Sequence, residues 1–220
     1  MRNFIKKITH PFLKLGYEIY YHKPRTFCYD GICIKVHPDV FPPNLTISTK
    51  ILLDFLSEKE LENESFLELG CGSGIISLFA AKKGAKVTAT DINSTALEFL
   101  SENAKKNHFE LEIIESDLFQ SLPNRNFNCI VINPPYYPKQ PKNTKEQAWF
   151  CGENFEYFET LFPQLKNYLI PSNETFMILS EDCELEKIKA IASKSDIAFT
   201  LVVEKKVVGE KNYIFILTSL

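Results

Sequence analysis

The apolar and polar positions of this chain change period several times, and each change marks an element. Near the N-terminus, Phe4, Ile5, Ile8, Phe12 and Leu15 recur on one helical face, which predicts a short amphipathic helix over residues 2–22. Its Arg2, Lys6, Lys7 and Lys14 are expected to be solvated. Residues 26–36 read as a β-hairpin around Asp30-Gly31, a dipeptide suited to a two-residue turn. That turn sets Tyr29 opposite Ile32 and Cys28 opposite Cys33. A proline-punctuated loop over 37–44 leads into a helix through residues 51–56.

From residue 66 onward strands and helices alternate. Strands are expected over 66–69, 86–90, 111–115, 129–133 and 175–180. Helices are expected over 74–83, 94–107, 155–169 and 184–195. The end differs: strands over 197–206 and 212–218 are separated only by a short turn. Alternation predicts a parallel, doubly wound sheet, and the closing hairpin an antiparallel pair at its far side. The expected fold is therefore α/β, a Rossmann-like seven-stranded, mainly parallel sheet with an antiparallel closing strand. The N-terminal helix and hairpin, residues 1–42, form an extension, and residues 43–220 form the main domain.

Composition narrows the class. The 220 residues are 45% hydrophobic and 24% charged, which suits a globular domain able to bury a core without disulfides or metals. A net charge of -3 and a pI near 5.9 leave no global basic footprint for nucleic acid. The N-terminal stretch lacks the long apolar run of a signal peptide or a membrane span, so a cytoplasmic protein is expected. None of the six cysteines stands in the close pairs of a structural zinc site, and no metal is expected. In a reducing cytosol, Cys28 and Cys33 are expected as two facing thiols rather than a redox bridge.

The candidate chemistry begins at residues 68–74, Glu-Leu-Gly-Cys-Gly-Ser-Gly, between a strand and a helix. Glycines there let the backbone turn tightly and approach a ligand closely. Asp91 ends the next strand, where an acid accepts hydrogen bonds from ribose hydroxyls. A dinucleotide site would place its third glycine at position 75, but Ile75 stands there and the glycine is Gly74. A methyl donor, S-adenosylmethionine, therefore fits better than a dinucleotide. Asp117 follows the third strand of the alternating region, in position to accept from an adenine amino group. Glu68 is expected near the amino end of the donor's methionine moiety, or else as a solvated strand-end residue.

A second element follows the strand over 129–132: Asn133-Pro134-Pro135-Tyr136. Proline fixes φ and donates no hydrogen bond, so the Pro134 carbonyl is held rigidly beside the Asn133 side-chain carbonyl. Two such acceptors can bind both hydrogens of one amino group, and Tyr136 offers a face for a planar partner. A conjugated amino nitrogen is a poor nucleophile. Aimed acceptors orient it and stabilise the positive charge that grows on attack.

With these residues in place, the chain resembles the class I methyltransferases of the small-domain group. It is most similar to the HemK/PrmC-type protein glutamine N5-methyltransferases. The likeness runs over roughly residues 26–217 and rests on 68–74, 90–93, 116–119 and the NPPY element at 133–136, and it takes in the hairpin leading to 36–43, Thr49, and 146–154 after NPPY. NPPY is shared with adenine N6-methyltransferases of DNA and RNA. The resemblance implies that Glu68, Gly70, Cys71, Gly72 and Gly74 line the methionine side of the donor. Asp91 and Ile92 would hold ribose and adenine, Asp117 and Leu118 would meet adenine, and Thr49 would close the pocket. Asn133 and Pro134 would grip the target amino group beside Pro135, and Tyr136 would pack on it. The implied activity is N-methylation of a protein glutamine. The alternatives are an adenine N6- or guanine N2-methyltransferase of nucleic acid, with Lys139, Lys142 and Lys145 near phosphates, and a non-catalytic scaffold. The bacterial release-factor enzymes carry a helical domain before the hairpin, where this chain has about 25 residues.

Overall fold

The computed structural model describes residues 22–43, 46–207 and 209–220. The helix expected at the N-terminus lies outside the described residues. A hairpin comes first, β1 (Arg25–Tyr29) and β2 (Ile32–Val36), paired antiparallel with Cys28 opposite Cys33. Its turn has positive φ at both Asp30 (46°) and Gly31 (78°), the mirror-image turn that matches strand twist. One expectation is corrected here: the Cys28 and Cys33 sulfurs are joined as a disulfide, not apart as two thiols. In this register the two residues form a non-hydrogen-bonded pair, the closer of the two antiparallel spacings, and their Cα atoms are 4.2 Å apart.

The main body follows as α1 (Ile47–Ser57), β3 (Ser65–Leu69), α2 (Ile75–Lys82), β4 (Lys86–Asp91), α3 (Ser94–Lys106), β5 (Glu112–Glu115) and β6 (Cys129–Ile132). After it come α4 (Thr144–Gln147), α5 (Glu156–Leu165), β7 (Glu174–Ser180), α6 (Leu185–Ser193), β8 (Ile197–Val207) and β9 (Glu210–Ser219). The sheet has seven strands in the order β5-β4-β3-β6-β7-β9-β8. Only β9 is reversed, running antiparallel to β7 on one side and to β8 on the other. The sequence periods thus predict the sheet and its reversed closing strand. They miss α4, a single turn of helix within a polar loop.

Strand parity divides the core into two layers. Phe66, Val87, Ala89, Cys129, Val131, Phe176 and Ile178 face α1, α2 and α3. Leu67, Leu69, Ile130, Ile132, Met177 and Leu179 face α5 and α6. Both faces are covered, which is why the central strands read as continuous apolar runs. The hairpin contributes Ile32, Ile34 and Val36 to the first layer, each no more than 2% exposed. It is fastened further by Asn103, whose Oδ1 accepts from Lys35 N–H at 2.9 Å while its Nδ2 donates to the Lys35 carbonyl at 2.9 Å. Among the described residues, no helix is long and apolar enough to cross a membrane.

Because the hairpin's inner face belongs to this core, Ile34→Ala should cost about 2–5 kcal/mol, the range for truncating a buried aliphatic side chain. Urea unfolding checks this. A loss under about 0.5 kcal/mol would mean that the hairpin contributes nothing to the cooperative unit.

Candidate functional site

The glycine turn is built by β3 and fastened to β4. The N–H groups of Gly70 and Cys71 both donate to the Thr90 carbonyl, at 2.9 and 2.8 Å. Gly70 and Gly74 have φ of 76° and 73°, which ordinary side chains rarely adopt. They use this freedom differently. A Cβ on Gly70 would meet nothing within 4 Å and would stand in a cavity of about 410 Å³. A Cβ on Gly74 would collide with Leu100 of α3, so this glycine lets α3 pack against the start of α2.

Thr49, Glu68, Gly70, Cys71, Gly72, Asp91, Ile92, Asp117, Leu118, Asn133 and Pro135 all line that cavity. Gly74, Pro134 and Tyr136 do not. Pro134 is buried, and Tyr136 packs against the second core layer with its ring 4.8 Å from that of Tyr137. The cavity lies at the C-terminal ends of β3, β4, β5 and β6, the end at which open α/β sheets bind ligands. Its size falls in the range of small-molecule sites.

Two of the carboxyl groups that line it, Glu68 and Asp91, are shifted by their surroundings. Glu68 is buried, and one of its oxygens, Oε2, accepts from the Ser77 N–H at 2.8 Å and from the Ser77 hydroxyl. Burial outweighs these bonds and pushes its pKa up to about 8. Asp91 accepts from Gly72 N–H at 2.8 Å through Oδ2 and from Asn93 N–H at 2.9 Å through Oδ1. Burial raises its pKa as well, against those backbone bonds. Each Asp91 oxygen keeps acceptor capacity for a ligand hydroxyl. Asp117 is exposed just beyond β5, and Ile92 is 43% exposed on the cavity wall.

Asn133 ends β6 on the same sheet face as Cys129 and Val131, facing α1. There its Nδ2 donates to the Ser48 hydroxyl at 3.4 Å. The neighbouring Thr49 hydroxyl shares a 3.0 Å bond with Thr46. Two segments flank the cavity mouth. Asp39 and Phe41 come from the loop after the hairpin, and residues 140–148 from the loop after NPPY. They meet through a 3.1 Å ion pair between Lys145 and Asp39, and through Phe41 and Trp149 rings 4.7 Å apart. Ser48, Asp39, Phe41 and the cavity-lining Tyr157 escape the sequence reasoning. Asp39 and Phe41 fall within the 36–43 stretch of the likeness but carry no role there, and Ser48 is marked only by its adjacency to Thr49.

The parallel sheet with one reversed strand, the glycine turn and the acid-lined cavity define a class I S-adenosylmethionine-dependent methyltransferase. Within that class the chain belongs to the methyltransferase small domain family, whose model matches residues 31–156. A Methanocaldococcus jannaschii protein provisionally named protein N5-glutamine methyltransferase is 33% identical over 187 residues, 79% of this chain and 91% of its own length. A release factor glutamine methyltransferase of Fusobacterium nucleatum is 33% identical over 63% of this chain, which spans 36% of that enzyme. In structure, the chain is similar to a T. thermophilus 16S rRNA N2 methyltransferase in complex with AdoMet and guanosine. The TM-score is 0.66 at 16% identity, over 90% of this chain and 50% of the other.

The raised carboxyl of Glu68 carries a pH signature. Its protonated form is favoured by folding, so its contribution to stability is complete below about pH 4.5 and is lost as pH rises through about 8. Glu68→Gln keeps a neutral side chain at all pH. The stability of the ligand-free wild type relative to this variant should therefore fall by up to about 1.4 kcal/mol per pH unit across that window. Denaturant titrations at several pH values test it, and a pH-independent difference would refute the raised pKa.

Proposed function

We propose that this enzyme methylates the side-chain amide nitrogen of a glutamine in a protein. One observation carries the proposal. The half-buried Asn133 amide stands on the cavity wall beside the Pro134-Pro135 pair, with its nitrogen engaged by Ser48. Its oxygen is then the group left for an incoming amino group. The near full-length similarity to the provisionally named archaeal glutamine methyltransferase supports the same acceptor.

On this proposal Asp91 accepts from the ribose hydroxyls, and Ile92, Asp117 and Leu118 surround adenine. Gly70, Cys71 and Gly72 let the methionine portion lie against the backbone, with Gly74 behind them, while Thr49 closes that end. Glu68 receives the donor's ammonium. Bound S-adenosylmethionine supplies an electrophilic methyl group on a sulfonium. The Asn133 Oδ1 and the Pro134 carbonyl accept the two hydrogens of the target –NH2, and Tyr136 supports its planar group from the core side. Both acceptors gain strength as the nitrogen becomes positive, so their effect falls on the barrier. The nitrogen's proton turns acidic as its new bond forms, so no strong base is needed and water can take it. The donor is a cytoplasmic metabolite, and we assign the reaction to the cytoplasm.

A nucleic-acid acceptor is the alternative, and its cations are the weak point. Lys145 is paired with Asp39, and Lys139 lies over the Phe150 ring at 4.4 Å. Two of the lysines expected near phosphates are thus engaged within the chain. Transfer of labelled methyl in a lysate, followed by protease or nuclease digestion, separates the two. Label that survives protease and yields to nuclease would overturn the protein acceptor.

Two variants test the site. Asp91→Ala should weaken donor binding by on the order of 1–3 kcal/mol, the value of hydrogen bonds to a charged group, and calorimetry measures this. Equal affinities would remove Asp91 from the donor site. Asn133→Ala should lower methyl transfer by roughly 10²–10³-fold, as loss of one preorganised electrostatic group does, with donor affinity largely kept. Asn133→Asp keeps an acceptor and should retain more activity than the alanine variant. Near wild-type turnover in Asn133→Ala would reduce the NPPY element to a turn.

A further inference from the structure

Ser48 occupies a place that the catalytic proposal leaves without a role. It lies in the first turn of α1, 7% exposed, and its hydroxyl is 3.4 Å from the Asn133 Nδ2. The two residues are 85 positions apart and meet only because α1 packs on the sheet face that β6 presents through Cys129 and Val131. The adjacent Thr49 hydroxyl is spent differently, on Thr46 at 3.0 Å, so the two neighbouring hydroxyls divide the work. One braces the start of the helix and the other meets the amide.

An asparagine amide is nearly symmetric in shape and opposite in chemistry at its two ends. Turned one way it offers the target –NH2 an acceptor. Turned the other way it offers a second donor, and two donors repel. The half-buried Asn133 cannot rely on bulk water to choose between the two. The Ser48 hydroxyl on the α1 side accepts from Nδ2, and with the amide held this way Oδ1 is turned from α1 towards the cavity that Asn133 lines. From this we infer that Ser48 is a positioning residue that sets the orientation of the Asn133 amide and thereby prepares the acceptor site. It stands behind Asn133 and does not itself line the cavity. The inference rests on the proposed role of Asn133 and adds to it the group that holds the amide nitrogen on the α1 side.

The test uses the full chain with 15N-labelled asparagine side chains, the Asn133 signal being assigned by its loss in Asn133→Asp. In wild type, the Nδ2 proton that faces Ser48 should exchange with solvent more slowly than its partner, as a hydrogen-bonded proton does. Ser48→Ala should speed that exchange and move the resonance upfield, and Ser48→Thr, which keeps the hydroxyl, should restore both. Turnover is then measured with a purified release factor as methyl acceptor. Ser48→Ala should lower kcat about fivefold to tenfold, the worth of one neutral hydrogen bond, with donor Kd within about twofold and Ser48→Thr near wild type. A serine that merely packs α1 would leave the amide resonances and kcat alone. Unchanged Asn133 resonances in Ser48→Ala would overturn the inference. If no variant, wild type included, methylates the release factor, the acceptor assignment falls, and the amide resonances still decide the role of Ser48.

Discussion

One carbonyl holds the glycine turn in place at the cavity's edge. The Thr90 oxygen accepts from two consecutive N–H groups, those of Gly70 and Cys71, just where β3 stops pairing with β4. Two bonds to one acceptor force the chain out of the strand direction at once, and the positive φ of Gly70 is the conformation that permits it. The next N–H in reach, that of Gly72, turns to the Asp91 side chain at the end of the same neighbouring strand. The turn and its acid are therefore parts of a single β3–β4 junction. Displacing either strand by one residue would separate the glycines from the carboxylate.

Much of this is legible in the sequence because strand ends are local features. Asp91 and Asn133 each close an apolar run, and the register of parallel strands brings such ends to one edge of the sheet. Parity adds the direction: Glu68 shares a face with Phe66, and Asn133 with Val131, which sets both towards the α1 and α2 side. The Asp30-Gly31 turn is legible for the same local reason. What stays hidden depends on long-range packing. Ser48 reaches Asn133 only through the docking of α1, and Asp39 meets Lys145 across 106 positions. Gly74 looks like the third glycine of a ligand turn, yet the atoms it spares belong to Leu100, a contact that no local spacing reveals.

The two acids explain why a cationic donor suits this cavity. Burial opposes the charge of both Glu68 and Asp91, and the Asp91 charge further opposes that of Glu68. Without ligand, Glu68 is relieved by remaining protonated near neutral pH. On the proposed placement of the donor, its sulfonium and ammonium would reverse the balance, since the ionised carboxylate would gain partners within the cavity. Part of the binding free energy would then be consumed in releasing that proton.

Product release also needs the mouth to open, and the contacts across it are of suitable strength. The Lys145–Asp39 pair is 39% and 56% exposed, so water and salt screen it to about 1 kcal/mol or less. The Phe41–Trp149 contact adds about 0.5–1.5 kcal/mol beyond its buried area. Apart from that buried area, the two together favour the contact by about twofold to sixtyfold, since about 1.4 kcal/mol is a factor of ten. The loop after NPPY is held more firmly at its base, where Tyr137 N–H donates to the Trp149 carbonyl and Cys151 N–H donates to the Tyr137 carbonyl. Opening is thus expected at the Asp39–Lys145 side of the mouth, leaving the base of the loop beside Asn133 and Pro134 in place as the donor exchanges.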